Sequence, residues 1–122
     1  MKFFASLANG CLLPRRSETD YVVGLMEHIE PSESWGLGSA DFTVPVAFKG
    51  GWGPEPTGSY LVRQSGIIDV GSSRAVAVAI VAFPGGSGAS SFSSGVAMVT
   101  ATALWLRHEL VLSPRPSTPC PG

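Results

Sequence analysis

Apolar residues along this chain recur with two different periods, and the switches between them mark its elements. Phe3 to Ala8 form a short apolar run that reads as a helix fragment, ended by Asn9-Gly10. Ser17, followed by Asp20, starts a second helix in which Tyr21, Leu25 and Ile29 recur at four-residue spacing, with Val22 and Met26 beside them. Pro31 stops this helix, Ser17 to Ile29, and a loop from Ser32 to Asp41 carries Trp35-Gly36-Leu37-Gly38. Three strand signals follow. Phe42 to Trp52 contains Pro45, which cannot donate to a ladder and suits an edge strand. Gly53-Pro54-Glu55-Pro56-Thr57-Gly58 turns the chain back into a second strand, Ser59 to Val70. The third, Ala75 to Phe83, alternates Val76, Val78 and Ile80 with Ala77, Ala79 and Ala82. Both of its faces are therefore apolar, which predicts a central strand covered on both sides. The period then returns to the helical one: Phe92, Val96, Val99, Ala103, Leu106 and Leu110 line one stripe of a helix from Phe92 to Leu110.

The connections are short, so the strands are expected to form an antiparallel meander with helices packed against it. The fold class is α+β: a three-stranded antiparallel sheet flanked by helices. Residues 1–112 make one domain. Residues 113–122, with four prolines in ten positions, are expected to be a disordered tail. At 122 residues, 44% hydrophobic and 14% charged, the chain is long and apolar enough to bury a modest core.

Composition removes several function classes. The net charge of −1 and the lack of a basic block argue against nucleic-acid binding. No C-x-x-C and no paired histidines point to a metal, and no cofactor motif is complete. His28 and His108 each fall near a helix C-terminus, where an imidazole is favourably placed. The apolar start is too short for the core of a secretory signal, and no segment is expected to span a membrane. The compartment is left open. Cys11 and Cys120 sit near opposite ends, and the sequence does not show that they meet.

The candidate chemistry lies at Lys49-Gly50-Gly51-Trp52, at the end of the expected edge strand. Two glycines weaken a strand, a cost that makes sense where a ligand or another backbone approaches closely. An edge strand offers unpaired N–H and C=O groups to an extended substrate, and a lysine beside it can hold a carboxylate. Lys-Gly-Gly-Trp-Gly-Pro is followed by Gly-Ser-Tyr-Leu-Val-Arg-Gln-Ser-Gly-Ile-Ile, an apolar strand, Ser-Phe-Ser-Ser-Gly-Val-Ala and a helix ending Trp-Leu-Arg-His. This order resembles the C-terminal part of class A serine β-lactamases and related penicillin-binding proteins, from about Pro31 to Leu110.

The resemblance implies a partial β-lactamase/transpeptidase-like fold. It also implies that Lys49, Gly50 and Gly51 occupy the box that binds the substrate carboxylate. The Trp52 backbone N–H would take the place of an oxyanion-hole donor. The partner would be a small-molecule β-lactam or a peptidoglycan peptide. Gly50 stands where the family has a hydroxyl residue. Ser65 stands where it often has arginine, with Arg63 on the same face as the substitute. The family's other boxes are missing: Val46 lies three before Lys49, and Asn9 is the only asparagine, so neither Ser-x-x-Lys nor Ser-x-Asn is present. The chain alone is expected to be inactive: a segment of a hydrolase, a non-catalytic binding or structural module of the same fold, or a truncated remnant. Without the family's first strands, the third strand would lie open and invite self-association. Two rival motifs, a nucleophile elbow centred on Ser87 and a dinucleotide loop at Gly86-Ser87-Gly88, both need a parallel sheet or βαβ unit.

Overall fold

The computed structural model describes residues 2–86, 88–114, 116 and 120. Helix α1 spans Lys2–Ala8 and α2 Arg16–Glu27. Two short 3-10 turns follow, Pro31–Glu33 and Gly36–Ser39. Strands β1 (Val46–Pro54), β2 (Tyr60–Ile68) and β3 (Val76–Ala82) form one antiparallel sheet in the order β1-β2-β3, and α3 (Ala89–Glu109) closes the fold. The α+β class and the three-stranded antiparallel meander are as the hydrophobic pattern predicts. An antiparallel sheet offers neither rival motif its context, and Ser87, the centre of the elbow, lies outside the described residues.

The pleat sorts side chains onto two faces. Phe48, Val62, Ile68, Val78, Ile80 and Ala82 point to one face, where they bury Leu37, Ala40, Val99 and Ala103. Ala47 and Ile67 point to the other, beneath Leu7, Val23 and Met26 of α1 and α2. α3 lies on the first face through Ser91, Gly95, Val99 and Ala103, four residues apart. The expected stripe contributes Val99 and Ala103 to this buried line, with Phe92, Val96, Leu106 and Leu110 half-buried alongside.

Two expectations are corrected. In α2 the buried residues are Thr19, Val23 and Met26, whereas Tyr21 and Leu25 are exposed. Apolar side chains at 21, 22, 23, 25 and 26 spread over an arc of about 200°, so four-residue spacing alone selects no unique face. The helix also begins at Arg16 behind Arg15, with no capping bond from Ser17. β3 is an edge strand, not a central one: β2 holds the centre of the sheet, and Ala79 and Val81 are exposed on the face that α1 and α2 leave bare.

α3 is long and apolar enough, by length and composition, to cross a membrane, contrary to the expectation for every segment. Only 22% of its apolar window is buried inside the fold, along the face seated on the sheet, so most of the helix is left open. His28 caps α2 by donating from Nδ1 to the Gly24 carbonyl at 2.8 Å, the helix-end role expected of it. Cys11 and Cys120 are joined in a disulfide with Cα atoms 5.2 Å apart. The bond ties the described end of the 113–122 segment to the α1–α2 loop. The disorder expected of that segment falls largely on positions outside the described residues.

Gly66 shows how tightly the strands pack. It pairs with Phe48, and a Cβ added there would lie 2.3 Å from the Ala47 carbonyl oxygen and 2.8 Å from Phe48 Cβ. Backbone cannot yield as a flexible side chain does, so Gly66→Ala must displace β1. We expect a loss of about 1–3 kcal/mol in urea denaturation, the usual cost of overpacking. A variant as stable as the wild type would show that β1 shifts freely.

Candidate functional site

β1 is the second edge of the sheet, and its register fixes which backbone groups are free. Glu55 N–H donates to the Ser59 carbonyl at 2.7 Å, and Asp69 N–H to the Pro45 carbonyl at 2.9 Å. Both bonds continue the β1–β2 register, so the odd-numbered residues of β1 bond to β2. The even-numbered Val46, Phe48, Gly50 and Trp52 therefore turn their N–H and C=O groups to the open side. Pro54 falls in the same set, where its missing N–H costs the ladder nothing.

Lys49 is exposed, and its ammonium bends around the strand to donate to the Gly50 carbonyl at 2.6 Å. A cation and the outward N–H groups of Gly50 and Trp52 thus share one open edge. This combination suits an extended ligand that carries a carboxylate: the N–H groups continue the sheet and the ammonium supplies the countercharge.

Arg63 pairs with Gly51 across the ladder, and its Nε lies 3.2 Å from where a Gly51 Cβ would sit. The absent side chain leaves room for the guanidinium to lie over β1. Lys49, Gly51, Arg63 and Ser65 share the face that α1 and α2 cover only in part, which brings both cations to one side of the sheet. The side chain of Trp52 points to the other face. It meets Trp35 and Phe92, with ring centroids 6.1 and 5.1 Å away, and the Trp35 and Phe92 rings are 6.1 Å apart. The five residues proposed from sequence thus divide: Lys49, Gly51 and Arg63 on one face, Gly50 and Trp52 on the other, joined by the backbone edge.

Sequence reasoning missed what holds this edge in shape. Gln64 is fully buried on the α3 face of β2. Its Oε1 accepts the Leu37 N–H at 2.8 Å, and its Nε2 donates to the Trp35 carbonyl at 2.7 Å. Thr100 Oγ1 on α3 accepts the Gly36 N–H at 3.1 Å. Gly36 takes φ +60, where a Cβ would also collide with Gln64 Oε1. This clamp sets the Trp35 indole over Gly50, with ring carbons 3.1 and 3.3 Å from the position of a Gly50 Cβ. The one signal in the sequence was a polar Gln64 on the same face of a strand as Val62 and Ile68. The described residues hold no cluster of His, Cys, Asp or Glu that could ligate a metal.

In comparisons with known proteins, no family model matches the chain, and no curated protein and no solved structure is significantly similar to it.

Proposed function

We propose that this chain is the substrate-strand segment of a serine β-lactamase-like hydrolase, acting on β-lactams or D-Ala-D-Ala-type peptides. The observation that carries the reading is the outer β1 edge, which no strand pairs among the described residues, where the Lys49 ammonium meets the Gly50 carbonyl beside the outward Trp52 amide. In this role Lys49 pairs with the substrate carboxylate, assisted by Arg63. The substrate backbone extends the sheet at Gly50 and Trp52. The Trp52 N–H stabilises the oxyanion that develops on the attacked carbonyl, where a well-placed donor is worth about 2.7–4 kcal/mol. The Cys11–Cys120 bond supports an oxidising compartment, such as the extracytoplasmic setting usual for the family.

The serine that would attack is not among these 122 residues in any Ser-x-x-Lys box. We therefore expect the chain, incubated with a fluorescent penicillin, to show no covalent increase in mass. A penicilloyl adduct would contradict this and would locate a nucleophile outside the expected boxes.

A second reading, a binding module without catalysis, is favoured by Gly50 itself. The Trp35 ring fills the space a hydroxyl side chain would need, so the substitution is built into the packing. The encoding DNA upstream of Met1 separates the two. An in-frame Ser-x-x-Lys followed by Ser-x-Asn supports the hydrolase, and a stop codon close upstream supports the module.

A further inference from the structure

The outer edge of β3 carries an apolar surface that the proposed site does not use. In the β2–β3 register, Val62, Gln64, Gly66 and Ile68 face Ala82, Ile80, Val78 and Val76. The odd residues of β2 bond to β1, so these even residues bond to β3. The N–H and C=O groups of Ala77, Ala79 and Val81 are left directed outward. Among the described residues, no strand pairs with them. Natural edge strands are usually protected by charge, proline or a bulge. Here the segment from Ala75 to Phe83 has no charged residue and no proline.

The surfaces above and below this edge are apolar as well. One flank of α3 is fixed by Thr100 and Arg107, which bond to Gly36 and to the Ala40 carbonyl on the β1 side. Met98 and Trp105 each lie two residues earlier, about 200° around the helix, and so face outward over β3. Both are exposed, Met98 by 47% and Trp105 by 60%. On the opposite face of the sheet Val81 is 52% exposed, and Phe83, just past the strand, is 63% exposed. No charged residue interrupts α3 before Arg107.

We propose that, in the chain by itself, with no further strands beside β3, a second copy occupies this edge, the two β3 strands pairing antiparallel across a two-fold axis near Ala79 to make a continuous six-stranded sheet. The segment is self-complementary. Its free donors and acceptors fall at Ala77, Ala79 and Val81, so the pattern is symmetric about Ala79 and each copy meets its own inverse, as an isologous contact requires. The area open to burial reaches the lower bound for such a contact. Met98, Trp105, Val81 and Phe83 expose on the order of 400 Å² per copy. With the strand edges, the contact buries roughly 1,000 Å² in total, the size at which a specific interface begins.

The experiment uses the whole chain, by sedimentation velocity and amide exchange. The wild type should sediment as a dimer of the 12.7 kDa chain at micromolar concentration, with the Ala77, Ala79 and Val81 amides protected. Ala79→Pro removes an outward N–H while leaving the β2 ladder intact, and Trp105→Lys adds a charge beside the edge. Both should give folded monomers, by circular dichroism, in which the remaining outward amides exchange rapidly. A wild type monomeric at all concentrations would overturn the proposal. So would a dimer that survives Ala79→Pro, or one whose Ala77 and Val81 amides stay unprotected. A failed fold in one variant leaves the other variant and the wild-type exchange pattern to decide.

Discussion

Gln64→Ala should cost about 3–5 kcal/mol of stability and should also release Trp35 from the β1 edge. Gln64 is fully buried, and its amide satisfies two backbone groups of the Trp35–Leu37 loop. Truncation leaves the Leu37 N–H and the Trp35 carbonyl without partners, at about 1–3 kcal/mol each, and opens a cavity under the loop. A domain of this size holds only about 5–15 kcal/mol in all, so the loss is a large fraction of the total. Urea denaturation measures the cost, and a red shift in tryptophan fluorescence reports the freed indole. Gln64→Glu should also be destabilising, because an ionised carboxylate can accept from Leu37 but cannot donate to Trp35. A loss below 1 kcal/mol for the alanine variant would mean that water replaces the amide and that the clamp does not position Trp35.

Removing the disulfide should have the other large effect. Cys11 and Cys120 are 109 residues apart in sequence, so the bond closes nearly the whole chain into one loop. Loop entropy places the stabilisation from such a closure at up to about 4.7 kcal/mol, and removal of native disulfides typically costs about 2–5 kcal/mol. Reduction, or Cys11→Ser, should lower the thermal midpoint by roughly 10–20 °C. An unchanged midpoint would show that packing alone holds the C-terminal segment against the α1–α2 loop.

The order of elements was legible in the sequence, because a period of two gives way to one of 3.6 at the right places and glycine or proline punctuates each change. Pro45, from which an edge strand was expected, precedes β1 and lies in the register that faces β2; the proline in the outward register is Pro54. Gly50 and Gly51 were legible as a stretch of the strand open to close approach. Gln64 was not: its partners Trp35 and Leu37 lie 29 and 27 residues away, and no local pattern encodes a contact of that span. The disulfide is the same problem at greater distance. α2 misled because its apolar residues spread over more than half of its circumference, leaving the choice of face to the short sheet beneath. β3 misled because apolar residues on both faces report what a strand can bury. They do not report what this chain supplies to cover it.

In the proposed function, the open β1 edge at Lys49 receives the carboxylate and backbone of a β-lactam or D-Ala-D-Ala-type peptide. The most direct test is to titrate ¹⁵N-labelled chain with benzylpenicillin and with an acylated D-Ala-D-Ala peptide, following the backbone amides. Saturable shifts centred on the outward amides of Gly50 and Trp52 are expected, lost in Lys49→Ala. Absence of saturable shifts at these two amides, or binding that Lys49→Ala leaves unchanged, would contradict the proposed function.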